Sequence, residues 1–179
     1  MKGKNYVFIA NSLDGYIADK DGGIDWLNTV PNPDHDDAGY NHFIKKMDAI
    51  VMGRSTFEIV LSFGIDWPYQ VPVFILSNSL QEVPKDYIGK VEIVSGTLPD
   101  IVEDLNQKGY HHLYIDGGKT VQSFLQEDLI DEMIITTIPI LLGGGIPLFS
   151  ELPNEMRFEH THTEIYLKEM VQSHYLRKR

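Results

Sequence analysis

The sequence predicts an α/β fold with a mostly parallel central sheet, helices on both faces and antiparallel strands at its carboxyl-terminal edge. Apolar strand-like runs alternate with helical patterns as far as residue 140, which is typical of a parallel sheet covered on both sides. Beyond it, residues 157–167 and 169–176 alternate polar and apolar side chains and predict two long antiparallel strands. The length fits a single domain spanning residues 1–179.

Each predicted element has a local basis in the chain. The strands before the closing pair are short apolar runs bounded by turn residues, at 6–10, 16–18, 50–53, 71–76, 91–94, 113–115 and 132–140. The helices are predicted at 37–46, 55–62, 97–108 and 119–126. The third helix has the clearest pattern, because Ile101, Val102 and Leu105 recur at helical spacing and Gly109 follows its end.

The most informative segment is Ala49–Glu58, where a buried strand runs directly into a helix. Gly53 allows the backbone to turn and approach a ligand closely, and Arg54 beside it is a permanent, forked cation. Ser55 and Glu58 have the spacing of a capping box, which predicts that the helix begins at this serine. The N–H groups and dipole of a helix start favour an anion, so the junction predicts a phosphate site.

A second junction of the same kind lies at Leu113–Thr120, where a strand runs into Asp116, a Gly-Gly turn and Lys119. The Asp116 side chain is expected either to accept a hydrogen bond from the backbone of its own turn or to contact the ligand. Neither junction has the usual G-x-G-x-x-G or G-x-x-x-x-G-K-[ST] fingerprint, and simple helix capping would explain either one alone. Two phosphate-facing junctions in one small domain indicate an extended ligand such as a dinucleotide.

The composition argues against several classes of partner. A net charge of −11 disfavours nucleic acid and anionic membrane surfaces, and no apolar run is long enough to cross a bilayer. The chain start has a basic pair and only a short apolar run, which indicates a first strand rather than a signal peptide. The absence of cysteine excludes disulfides and thiolate catalysis, and makes the cytoplasm the default location.

In chain order, these landmarks resemble the dihydrofolate reductase fold. They are Ala10 with Ser12–Ala18, Gly23–Trp26, Ile50–Arg54, Ile75–Ser77 and Ile115–Gly118. The segments Leu125–Met133 and Pro139–Phe149 are closer to one branch, the reductase domain (RibD C-terminal domain) of the bifunctional riboflavin-biosynthesis deaminase/reductase. The resemblance covers essentially the whole chain, in a standalone form with no deaminase domain attached.

The resemblance implies that the protein binds NADPH through four segments of the chain. The implied contacts are Ala10 and Ile17 at the nicotinamide; Gly53, Arg54, Ser55 and Thr56 at the pyrophosphate and 2′-phosphate; Leu76, Ser77 and Asn78 beside the adenosine; and Asp116, Gly117, Gly118, Lys119 and Thr120 at the second helix start. The glycine turns and helix starts agree with this assignment, because each would meet a phosphate group.

The resemblance also implies a reductase that moves a hydride to a C=N or C=O carbon of a small polar substrate. Its catalytic carboxylate would stand at the start of the first helix, where Asp37 is the first choice, followed by Asp36 and Asp34. The alternative is that these carboxylates only stabilise the N-terminus of the helix by placing negative charge there. The substrate-side expectations are Trp26, for which core packing is the alternative, and Gly143, Gly144 and Gly145.

Several substrates and one other class of function stay open. The riboflavin branch implies 5-amino-6-(5-phosphoribosylamino)uracil, and dihydrofolate or a related pterin is the alternative. The other class is a nucleotide-binding protein without turnover. No metal site is predicted, because His160 and His162 lie on an alternating strand that is better explained as a solvated face.

The riboflavin-branch resemblance further implies a homodimer. The closing strands carry apolar side chains that are candidates for its interface, namely Phe158, Ile165, Leu167 and Val171. Two-fold pairing there would cover the exposed edge of the sheet.

Overall fold

The computed structural model describes residues 3–80 and 82–179. Its strands are β1 (Lys4–Ser12), β2 (Tyr16–Ala18), β3 (Ala49–Gly53), β4 (Val73–Leu76), β5 (Val91–Val94), β6 (His112–Asp116), β7 (Glu132–Ile138), β8 (Ile146–Pro147), β9 (Arg157–Tyr166) and β10 (Met170–Lys178). Its α-helices are α1 (Tyr40–Ile44), α2 (Arg54–Ser62), α3 (Leu98–Gln107) and α4 (Gly118–Gln126), with short 3₁₀ turns at Asp25–Asn28 and Lys85–Tyr87.

Eight of these strands form one sheet in the order β5-β4-β3-β6-β1-β7-β10-β9. The first six strands in this order, β5, β4, β3, β6, β1 and β7, are mutually parallel. Strand β10 is antiparallel to both β7 and β9. The remaining strands, β2 and β8, form a separate antiparallel pair. The predicted fold class is therefore confirmed, and the carboxyl ends of all the parallel strands lie along the same edge of the sheet.

The sheet is covered on both faces by apolar side chains. Val51 of β3 packs in one core cluster with Leu105 of α3 and Phe124 of α4. Its neighbour Met52 packs in the opposite cluster with Phe57 of α2. This alternation follows from the two-residue period of a strand, and burial of each large apolar side chain contributes about 1.5–3 kcal/mol.

Two helix starts differ from the prediction. The helix expected at 37–46 is only Tyr40–Ile44, because Ala38 and Gly39 have φ angles of 49° and 83° that do not belong to a right-handed helix. The predicted capping box is wrong, since α2 begins at Arg54 and has Gly53 as its N-cap. The Glu58 carboxylate instead accepts a hydrogen bond of 2.6 Å from Arg54 Nε.

The remaining boundaries agree with the sequence to within a few residues. Helix α3 is the clearest case, because the hydroxyl of Thr97 accepts the Asp100 N–H as its N-cap. In the β9–β10 pair a register shift sets His162 opposite His174 and His160 opposite Tyr175. The described residues contain no cluster of metal-ligating side chains and no helix long and apolar enough to cross a membrane.

Candidate active site

A cleft of about 860 Å³, here called the main cleft, opens where the parallel strands end and α2 and α4 begin. Every residue that the resemblance implied as a cofactor contact lines it. They are Ala10, Ile17, Gly53, Arg54, Ser55, Thr56, Leu76, Ser77, Asn78, Asp116, Gly117, Gly118, Lys119 and Thr120. Ligands of open parallel sheets bind at this edge, so the position agrees with the topology.

Two helices start at the main cleft without a side-chain cap. Gly53 is the N-cap of α2 and Gly117 that of α4, and in the described part of the chain no side chain accepts a cap hydrogen bond at either helix. The first N–H groups of an α-helix have no partner within the helix. Both helix starts are therefore available to an anion in the cleft.

Close packing joins the two helix starts into one cradle. A Cβ atom on Gly117 would lie 2.2 Å from Thr56 Oγ1, and one on Gly53 would lie 3.0 Å from Thr120 Oγ1. Gly117 also has a φ of 92°, a conformation that favours glycine. The glycines are thus needed both for the turn of α4 and for its contact with α2.

The cations of the main cleft are exposed at its surface. Arg54 donates to Glu58 and, from Nη1, to Ser79 Oγ at 3.1 Å, and its side chain is 47% exposed. An exposed ion pair of this kind contributes about 0–1 kcal/mol, so a ligand phosphate can displace Glu58 at low cost. Lys119 is exposed in the first turn of α4.

A carboxyl group and two tyrosines line the inner part of the main cleft. Asp116 Oδ1 accepts the Gly117 N–H at 2.8 Å, and the Tyr114 hydroxyl donates to the Phe8 carbonyl at 3.0 Å. Desolvation raises the pKa of the Asp116 carboxyl above its ordinary value, although the nearby Tyr114 hydroxyl and the bond from the Gly117 N–H act in the opposite direction. Desolvation also raises the pKa values of Tyr69 and Tyr114, so both stay neutral at physiological pH.

A second cavity of about 480 Å³, here called the alcove, adjoins the main cleft. The two share Phe8, Ala10 and Leu27 in their linings. The other side chains of the alcove are mostly apolar, and its polar lining residues are Asn28, Asn32, His35, Asp36, Asp37 and Thr136. A ligand in the alcove would therefore meet a ligand in the main cleft near the end of β1.

The acids of the alcove are bonded to their own loop. The two carboxylate oxygens of Asp37 accept the N–H groups of Gly39 and Asn41, each at 2.9 Å. Asp36 Oδ1 accepts the Ala38 N–H at 2.8 Å. These carboxylates thus stabilise the start of α1, as the alternative interpretation of the sequence expected, and they also line the alcove, whereas Asp34 does not.

A buried glutamine fixes the loop that carries these acids. Gln172 of β10 is 2% exposed, and its Nε2 donates to the Ala38 carbonyl and to Thr136 Oγ1, both at 2.9 Å. Its Oε1 lies 3.2 Å from His174 Nε2. Because the amide is buried with its polar groups bonded, the loop is tied firmly to the sheet at Thr136 of β7.

The predicted substrate residues other than the acids lie outside both linings. Trp26 is 6% exposed and packs in a core cluster with Ile138 and Met170, so its chain neighbours line the alcove in its place. Gly143, Gly144 and Gly145 form the turn before β8. Asp14 holds this turn by accepting the N–H of Gly143 at 2.8 Å, and a Cβ on Gly145 would meet the Ala18 carbonyl. Gly145 therefore allows close packing on β2.

Sequence reasoning missed other parts of the site. Ser95 and Gly96 line the main cleft directly after β5, and the rule that parallel strands end at one edge would have found them. The lining residues Phe8 and Thr136 lie within strands, as does Gln172, which holds the loop of the alcove; no local pattern distinguishes such a residue from a core residue.

Comparisons with known proteins agree with this geometry. The sequence profile of the RibD C-terminal domain matches residues 5–171. An uncharacterised protein of Bacillus subtilis, YwjB, is 37% identical over 179 residues, covering 99% of both chains.

Solved structures show the same likeness. The crystal structure of a putative riboflavin biosynthesis protein from Shewanella sp. PV-4 is 56% identical, with a TM-score of 0.96 over 98% of this chain and 99% of that one. A dihydrofolate reductase from Enterococcus faecalis, complexed with NADP(H) and RAB-propyl, shares the fold at 18% identity, with a TM-score of 0.68 over 100% and 99% of the two chains. The chain belongs to the RibD C-terminal domain family.

Proposed function

We propose that the protein is an NADPH-dependent reductase that transfers a hydride to a C=N or C=O carbon of a small polar heterocycle. The observation that carries this proposal is the pair of uncapped helix starts, α2 and α4, which face one cleft that joins an alcove beside Ala10. The likeness to a dihydrofolate reductase complexed with NADP(H) supports the choice of cofactor.

The residues of the main cleft fit such a cofactor. Gly53 and Gly117 leave the helix starts open, Arg54 and Lys119 add positive charge, and Ser77 directly follows the neighbouring strand β4. Arg54 is the candidate for the 2′-phosphate, because a guanidinium can pair two phosphate oxygens at once. Bound NADPH supplies the hydride, and the protein positions both reactants.

The alcove supplies the groups for the substrate. Phe8, Leu27 and Ile138 give apolar walls that exclude water from the reacting ring. Asp37 is proposed to hold the ring and to deliver a proton, directly or through an ordered water. Its carboxylate retains acceptor capacity beyond its two bonds to N–H groups, so it can also accept from a substrate.

Two substrate classes follow from the family and the fold. The family suggests 5-amino-6-(5-phosphoribosylamino)uracil as the first candidate. A pterin such as dihydrofolate is the second, and it is favoured by the carboxylates of Asp36 and Asp37 at the alcove, which suit a ring with N–H donors.

The test is a titration with NADPH followed by an oxidation assay. We expect NADPH to bind more tightly than NADH, and its absorbance to fall steadily once a pyrimidine or pterin substrate is added. Saturable binding without oxidation by any substrate would favour a nucleotide-binding protein without turnover. No binding of NADPH at millimolar concentration would overturn the proposal.

We also propose that the protein forms a homodimer through the edge strand β9. Ile165 and Val171 pair across β9 and β10 and are 67% and 41% exposed, whereas Phe158 and Leu167 are partly buried within the chain. An exposed apolar strand at a sheet edge is commonly covered by association. Light scattering should give about twice the chain mass of 20.4 kDa, and a value at the chain mass would refute the dimer.

A further inference from the structure

We infer that the substrate part that enters the alcove carries no phosphate and is a neutral or positively charged heterocycle. This inference rests on the proposed function, since it concerns the substrate of the same site. It sets a condition on the phosphoribosyl compound, whose phosphate dianion would have to stay outside the alcove, whereas a pterin ring carries no phosphate and meets no such condition.

The first argument is the charge of the lining. Within the described residues, no lysine or arginine lines the alcove, and Asp36 and Asp37 give it two carboxylates. Among the described residues that line the alcove, His35 has the one basic side chain. Among the described residues that line the main cleft the balance is the opposite, because Arg54 and Lys119 accompany one carboxyl, that of Asp116, and Glu58, which pairs with Arg54, is not part of the lining.

The second argument is the use of the backbone donors. A helix start is the usual backbone site for a phosphate, and α1 begins at the alcove. The N–H groups of Ala38, Gly39 and Asn41, however, are already bonded to Asp36 and Asp37 at 2.8–2.9 Å. A phosphate there would have to displace carboxylates that belong to the same loop.

The third argument is that the loop is fixed in this arrangement. Gln172 is buried and holds the Ala38 carbonyl from the sheet side. The side-chain amide of Asn32 holds the same loop from the other side, since its Oδ1 and Nδ2 bond to the backbone N–H and C=O of Asp36, each at 2.8 Å. The loop therefore presents acceptors to the alcove, and these pair with the N–H donors of a ring.

The experiment compares two probes that differ only by the phosphate. The full chain, saturated with NADP⁺, is titrated calorimetrically with 6-ribitylaminouracil and with its 5′-phosphate, and then with dihydrobiopterin. We expect the unphosphorylated uracil to bind about tenfold more tightly than its phosphate at low ionic strength. Added salt should reduce the difference in affinity between the two uracil probes, because the carboxylates of Asp36 and Asp37 are exposed at the mouth of the alcove and are screened by salt.

A charge variant tests the cause. Asn28 is exposed and lines the alcove, so Asn28→Lys adds the missing cation with little effect on folding. It should tighten binding of the phosphate probe by about three- to tenfold and leave the unphosphorylated probe nearly unchanged. Arg54→Ala, in the main cleft, should weaken NADPH without changing the preference between the probes.

Several outcomes overturn the inference. Equal or tighter binding of the phosphorylated probe by the parent protein would do so, as would the failure of all three probes to bind. The NADPH titration of the parent is read separately, because lack of NADPH binding refutes the proposed function itself. The probe preference, measured also without cofactor, then still decides the substrate class of the alcove.

Discussion

The main cleft and the alcove both contain helix starts, and the backbone N–H groups of these helices are used differently. In the main cleft, α2 and α4 begin after Gly53 and Gly117 without a side-chain cap, and Asp116 accepts the N–H of Gly117, the residue before α4. At the alcove, the Asp37 carboxylate takes N–H groups of Gly39 and Asn41 around the start of α1. An open helix start attracts anions from solution, whereas a start bonded to its own carboxylate does not.

The difference teaches how an acidic protein can bind an anionic cofactor. The chain has a net charge of −11, so its average field repels phosphates. Two glycine junctions, with Arg54 and Lys119, place N–H donors and positive charge at the main cleft, whereas none of the described lysines or arginines lines the alcove. The same negative character then makes the alcove suitable for a different reactant, and the two cavities meet at Phe8 and Ala10.

The largest expected effect is on the alcove side, in Asp37→Asn. Loss of a general acid typically costs about 10²–10⁴-fold in rate. Cofactor affinity should hardly change, since Asp37 does not line the main cleft. The measurement is single-turnover hydride transfer with saturating NADPH, and Asp34→Asn is the matched control because Asp34 lies outside the alcove lining.

The companion variant Asp36→Asn shows which acid is responsible. If Asp36→Asn slows transfer and Asp37→Asn does not, the proton donor is Asp36. If all three asparagine variants transfer hydride within a few-fold of the parent at every pH, no carboxylate of this loop is the acid. The alcove would then bind the substrate without donating the proton.

The next effect is in the main cleft, where Arg54→Ala should weaken NADPH binding by about 1.5–3 kcal/mol. The binding of NADH, which lacks the 2′-phosphate, should be weakened much less by this substitution. Glu58→Gln should tighten NADPH slightly, because Glu58 competes for the same guanidinium. Calorimetric titration with both cofactors measures this, and equal affinities of the parent for NADH and NADPH would contradict the role of Arg54.

A smaller effect is expected from alanine substitutions at two glycines that have a positive φ angle, Gly117 and Gly143. Gly117 and Gly143 have φ angles of 92° and 69°, and an alanine costs about 1–2 kcal/mol in such a conformation. Only at Gly117 does an added Cβ meet another atom closely, Thr56 Oγ1 at 2.2 Å, whereas nothing lies within 4 Å at Gly143.

Urea unfolding and NADPH titration test the pair Gly117→Ala and Gly143→Ala. Both variants should lose unfolding free energy, and Gly117→Ala should lose more. Of the two variants, only Gly117→Ala should also weaken the binding of NADPH. If Gly143→Ala weakens NADPH equally, the turn before β8 contributes to the cofactor site, and the distinction between the two regions fails there.

The two regions also differ in how far the sequence could predict them. The main cleft rests on contiguous junctions, so the sequence alone predicts Gly53–Thr56 and Asp116–Thr120, and all of these residues line the cleft. The alcove is assembled from segments distant in the chain, and Gln172 contacts Ala38 across 134 positions. No local pattern encodes such a contact, because it depends on the pairing of β10 with β7.

Two details of the site depend on tertiary contacts in the same way. Ser55 and Glu58 match a capping box by spacing, but the helix starts one residue earlier and Arg54 takes the carboxylate. Trp26 is expected beside the substrate, with core packing as the alternative, and it packs against Ile138 and Met170 in the core. In both places tertiary contacts decide what the local sequence cannot.

The smallest expected effect concerns Asp116, the carboxyl group of the main cleft. Desolvation raises its folded-state pKa above the ordinary value of 3.8, so the folded protein holds this proton more tightly than the unfolded chain. The stability that this group contributes is therefore complete below its unfolded pKa and is lost as the pH rises through the folded pKa.

The variant Asp116→Asn removes this pH-dependent loss of stability, and its amide oxygen can still accept the Gly117 N–H. Urea unfolding at about pH 4 and about pH 7 should show the variant gaining on the parent as the pH rises, with Asp34→Asn as the control for the loss of one negative charge. A difference that stays constant with pH, or that grows in favour of the parent, would show that burial does not raise the pKa of Asp116.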